Sequence, residues 1–89
     1  MATRSGSKED ILNMLEKGKA AGATHVIVVC DTYDDDFYPV NVMPGEDVRE
    51  KAQEYGYPST KDMQQVMEVY SLSQDLEPQL RSGRSLTFD

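Results

Sequence analysis

The stretch Thr24-His25-Val26-Ile27-Val28-Val29-Cys30-Asp31-Thr32-Tyr33 decides the fold. It is dominated by β-branched and aromatic residues, which favour a pleated backbone. Its centre, Val26 to Cys30, is apolar at every position, so both faces of the strand must be covered and the strand must lie inside a sheet. Phe37-Tyr38-Pro39-Val40-Asn41-Val42-Met43 reads as a second strand, linked to the first through Asp34-Asp35-Asp36. So short a link forces an antiparallel hairpin. Pro39 has no N–H to give to a ladder, which confines its strand to a sheet edge.

Helices are expected on either side of the hairpin. Met1 to Gly6 is small and polar and reads as a flexible terminus; no apolar run follows it, so it does not resemble a signal peptide. Residues 7–89 then form one α+β domain. Ser7, with Asp10 three residues on, makes a variant capping box, and Ile11, Met14, Leu15 and Gly18 recur at helical spacing up to a C-terminal Gly22. Pro44-Gly45 closes the second strand, and Glu46-Asp47 suits the start of a helix whose face is Val48, Ala52 and Tyr55 and whose end is Gly56.

Ser59 or Thr60 then predicts the cap of a longer third helix, with Met63, Val66, Met67 and Tyr70 as its buried stripe and Val69, Leu72, Leu76 and Leu80 as a second ridge. Pro78 must kink that helix or fall in the first turn of a new one starting at Asp75. Ser82-Gly83 ends it. Arg84 to Asp89 alternates as a short last strand would. The expected fold is therefore α+β: a small antiparallel sheet, built on the Thr24–Met43 hairpin, under three helices in the order α-β-β-α-α-(β).

Charge separates the function classes. The chain of 89 residues carries 16 Asp and Glu against 9 Lys and Arg, a net charge of −7. Between Ala20 and Val48 stand six carboxylates (Asp31, Asp34, Asp35, Asp36, Glu46, Asp47) and no Lys or Arg. The remaining residues hold ten acids and nine bases, so this one segment carries nearly all the imbalance. Such a surface repels phosphate and argues against non-specific nucleic-acid binding. No apolar run approaches the roughly 18 residues of a membrane span. A single Cys and a single His cannot build a disulfide framework or a multi-histidine metal site. Residues 25 and 30, on one strand, point to opposite faces, which rules out a Cys30–His25 catalytic dyad. An EF-hand counted from Asp31 or Asp34 would need Glu at its twelfth position, where Val42 or Gly45 stands. No catalytic residue, metal or cofactor is expected, and a reduced Cys30 suits the cytoplasm.

What remains is binding. Tyr33 and Tyr38 flank the carboxylates, and tyrosine beside carboxylate receives Arg and Lys through its ring face and charge-assisted hydrogen bonds. Asp31, Tyr33, Asp34, Asp35, Asp36, Tyr38, Glu46 and Asp47 are thus the expected contact residues for a basic protein surface. Alternation along the strands predicts that one of Tyr33 and Tyr38 is core. The alternative is a small anionic ligand or nucleotide held by Lys8, Lys61, Arg81 and Arg84 in an oligomeric pocket, since helix starts and the Arg81–Ser85 cluster are the cationic places left. A lean core and two apolar ridges also predict a homo-oligomer, a dimer first.

The run His25 to Asp34 followed by Tyr38-Pro39-Val40 resembles a group of small phage and bacterial proteins that share a strand ending in Cys-Asp-Thr-aromatic-Asp and a Tyr-Pro-Val strand after it. The resemblance implies an accessory protein of phage or mobile-element origin, with no activity to carry over. Its context suggests an inhibitor of a host protein or a sponge for a nucleotide signal.

Overall fold

A helix opens the chain because Ile11 and Leu15 place one apolar stripe on it, with Glu9 and Asp10 in its first turn and Lys17 and Lys19 in its last. This is α1 (Lys8–Ala20) in the computed structural model, which describes residues 8–34, 36–81 and 86–88. The expected flexible terminus over 1–6 and the Ser7 cap lie outside the described residues. Gly22, at φ 87°, turns the chain out of the helix, as a C-terminal glycine does. Then come β1 (His25–Asp31), β2 (Asp36–Val42), α2 (Val48–Glu54), β3 (Gln64–Ser71) and α3 (Leu76–Arg81).

The three strands form one antiparallel sheet in the order β2-β1-β3. β1 is central and buried from Val26 to Cys30, while Pro39 sits in the edge strand β2. On one face, Ile11 and Leu15 of α1 pack with Val26, Val28 and Tyr70, and Leu76 and Leu80 of α3 join them. Gly18 lets α1 approach closely: a Cβ there would sit 2.5 Å from Val26 Cγ2. On the other face, Val48 and Ala52 of α2 cover Ile27, Val29, Val42, Val66 and Val69. The helices therefore cover both faces of the sheet.

One expectation changes and one open alternative is decided. The third helix expected from Ser59 or Thr60 is a strand over its central part, so the order is α-β-β-α-β-α. The reason is a β-bulge. Val28 pairs with Glu68 but Val29 pairs with Val66, which leaves Met67 as the extra residue. The bulge returns Val66 and Val69, three apart, to the same face, and so reproduces a helical spacing inside a strand. Secondly, Pro78 does lie in the first turn of a separate short helix, whose start is capped by Asp75 Oδ1 accepting from Glu77 N–H at 3.2 Å. Buried Gln79 ties α3 to β3: its Oε1 accepts from Ser71 N–H at 2.8 Å and its Nε2 donates to Ser71 O at 3.0 Å. Of the expected last strand, 84–89, residues 84, 85 and 89 lie outside the described residues. Within it, Leu86 makes a single parallel bridge to Val69, and Phe88 packs 5.1 Å from Tyr57 with the Arg49 guanidinium 4.5 Å over its ring.

Candidate functional site

The acidic segment that is continuous in sequence is divided in space. β2 is seven residues long, so its two ends stand about 20 Å apart. Asp31, Asp34 and Asp36 lie at one end, and Glu46 and Asp47 lie beyond the other. Asp35 lies outside the described residues.

The Glu46–Asp47 pair builds local structure. Asp47 is the N-cap of α2, its Oδ1 accepting from Arg49 N–H at 2.9 Å and Glu50 N–H at 3.3 Å. Glu46 accepts from Met43 N–H at 2.8 Å and from Lys51 Nζ at 2.9 Å. The backbone hydrogen bond and then the Lys51 partner hold its carboxyl below the usual range. The same pair, Glu46 first, pushes Lys51 up. A depression of about 290 Å³ follows this end of α2, lined by Gly45, Glu46, Asp47, Glu50, Lys51 and Glu54. No group of three or more His, Cys, Asp or Glu among the described residues is arranged to hold a metal ion.

At the other end, only Asp31 is consumed by the turn. Half-buried, it accepts from Tyr33 N–H at 2.9 Å and Asp34 N–H at 3.4 Å, an Asx turn that shapes the link. The carboxylates of Asp34 and Asp36 are exposed and accept no hydrogen bond from the described residues. Asp36 faces Asp31 directly across the ladder. The two expected tyrosines divide as alternation requires: Tyr38 packs on the α2-side core and donates its hydroxyl to Gln64 Oε1, whereas Tyr33 is 77% exposed. Burial, followed by Tyr55 and Asp31, pushes the Tyr38 hydroxyl up.

A second turn joins this end. Lys61 and Gln64 exchange backbone hydrogen bonds of 2.8 and 2.9 Å around Asp62 and Met63, a two-residue hairpin link. Both central residues have positive φ, 52° and 63°. Thr32 N–H donates to Met63 O at 2.8 Å, extending the β1–β3 ladder by one step and locking the two turns together. Met63, 53% exposed, thus stands beside the Tyr33 turn. Met63, expected in the buried stripe of a third helix, is instead an exposed turn residue, in a turn that no Gly or Asn marks in the sequence.

The cationic residues of the alternative pocket are dispersed. Lys61 is in the second turn, at the Asp31 end. Arg81 ends α3, which Gln79 ties to Ser71 opposite His25, and it pairs with Glu77 at 2.9 Å. Lys8 opens α1 and is described through its backbone alone, and Arg84 lies outside the described residues. One chain therefore does not bring Lys61 and Arg81 together. His25 and Cys30 lie on opposite faces of β1, with Cys30 buried and His25 Nδ1 3.0 Å from Thr24 Oγ1. No helix among the described residues is long and apolar enough to cross a membrane. Comparison with protein-family models, curated proteins and solved structures finds no match.

Proposed function

We propose that this chain is a small non-enzymatic binding protein whose hairpin end, Tyr33 with Asp34 to Asp36, engages a basic surface of a protein partner. The observation that carries the reading is Tyr33: of the large apolar side chains exposed among the described residues it is the most exposed, at 77%, and the Asp34 and Asp36 carboxylates at the same end of the hairpin accept no hydrogen bond from the described residues. Tyrosine supplies a large amphipathic contact area at small entropic cost and is enriched where proteins meet.

The local energetics favour the same reading. Like charges directly opposite on a ladder are destabilising, by roughly 0.2–1 kcal/mol on the scale of cross-strand pairs. Asp31 and Asp36 form such a pair, and Asp34 and Asp35 add to it in sequence. Asp31 returns part of that cost through its turn; Asp34 and Asp36 return none within the described residues. A local rule broken without compensation is characteristic of a site that meets something else. A cationic partner would relieve the repulsion and be steered by the field.

Peptide display against the immobilised protein tests the reading. Selected sequences are expected to be rich in Arg and Lys, to lose affinity as salt rises, and to be poorly retained by Asp34→Asn/Asp35→Asn/Asp36→Asn. A charge-neutral consensus, or retention that the triple variant leaves unchanged, would contradict it.

A further inference from the structure

We infer that the two turns form one composite contact surface, in which Tyr33 and Asp34 take an arginine of the partner and Met63 takes an adjacent aliphatic side chain. This rests on the reading above and adds the second turn and the chemistry of the partner segment. Met63 belongs to neither core cluster and is 53% exposed, second only to Tyr33 among the exposed large apolar side chains of the described residues. It also holds a left-handed backbone at φ 63°, where a residue with a full side chain is strained. Asn or Gly would fit that backbone better, so neither local geometry nor core packing accounts for a methionine there. Contact with another apolar surface does, because the unbranched thioether adapts to irregular partners.

The Thr32–Met63 hydrogen bond sets the two turns side by side, with Tyr33 next in the chain to the residue that pairs with Met63. Charge selects the occupant. Asp34 and Asp62 neighbour the pair in sequence, Asp36 pairs with Asp31 at the same end of the sheet, and Lys61 is the one cation in the two turns. A second copy of a chain with net charge −7 is a poor match, and an uncharged apolar segment leaves the carboxylates unused. Arginine suits the place better than lysine, because its planar guanidinium can lie on the Tyr33 ring while its N–H groups fork to a carboxylate.

The test is a titration of the full chain, with 13C-methyl methionine, by the capped peptide Arg-Leu-Arg-Leu and by versions carrying Lys or citrulline for Arg, or Ser for Leu. The Arg-Leu peptide is expected to shift the Met63 methyl and the Tyr33 ring together with one saturation curve. Replacing Leu by Ser, or Met63→Asn in the protein, should weaken binding about fivefold, and citrulline should abolish it. Asn tolerates the left-handed backbone, so the protein variant stays folded. Charge-dependent binding at Tyr33 that ignores both the Ser peptide and Met63→Asn would overturn the composite surface while leaving the acidic reading standing. Equal binding of the citrulline peptide would overturn both. A Met63 shift on simple concentration of the protein would identify a second copy as the occupant and overturn the arginine partner.

Discussion

The two ends of β2 carry the same kind of residue for opposite purposes. Beyond Val42, Glu46 and Asp47 give their oxygens to four donors: three backbone N–H groups and one ammonium. At the Asp31 end, Asp34 and Asp36 give theirs to none of the described residues. The first pair satisfies the open amides of a helix start, where negative charge is favoured. The second accumulates repulsion at a turn, where exposed Tyr33 and Met63 add apolar surface to it. Carboxylate density alone does not distinguish a cap from a contact surface. The hydrogen-bond inventory does.

The sharpest way to break this contrast is to neutralise the hairpin end. Asp34→Asn/Asp35→Asn/Asp36→Asn should lower affinity for the Arg-Leu peptide by about tenfold or more at low salt and flatten its salt dependence, measured by calorimetric titration. Next in size, Asp47→Ala should cost about 1 kcal/mol in denaturant unfolding and leave peptide affinity untouched. Met63→Asn should move the two properties in opposite directions, raising stability by about 0.5 kcal/mol through relief of the left-handed backbone while weakening the peptide. Glu46→Gln should have the smallest effect, confined to acid. Because the folded carboxyl of Glu46 titrates below its ordinary range, its stabilisation is present above that range and is lost as pH falls through the lowered value. Melting curves between pH 6 and pH 3, values spanning the ordinary carboxylate range of about 4, should therefore slope less steeply in Glu46→Gln than in the parent.

Much of the fold was legible in the residues. The unbroken apolar run Val26 to Cys30 required a strand covered on both faces, Pro39 required an edge, and Asp47 with Val48 and Ala52 announced α2; each is so placed. β3 was obscured because its bulge gives Val66 and Val69 a helical interval, although Val66, Val69 and Tyr70 are strand formers. Gln79 gave no sign of its role, since its partners are backbone atoms of Ser71, eight residues earlier. At the candidate site, the acidic segment and the exposure of one tyrosine were readable, because both follow from local charge and from alternation. Its division into two ends was not. A linear count of carboxylates does not measure the length of the strand between them. Met63 reads as part of a helix's buried stripe for a related reason: it reaches the hairpin end through a ladder that only the correct assignment of β3 reveals.

The most direct test needs no partner. Denaturant unfolding of Asp34→Asn/Asp36→Asn and of Glu46→Ala/Asp47→Ala, measured side by side at low salt, asks which carboxylates the fold itself uses. The account predicts that the first variant is as stable as the parent or more so, through relief of the Asp31–Asp36 repulsion, and that the second loses about 1 kcal/mol. A hairpin-end variant destabilised as much as the helix-start variant would contradict it, because those carboxylates would then be holding the fold together.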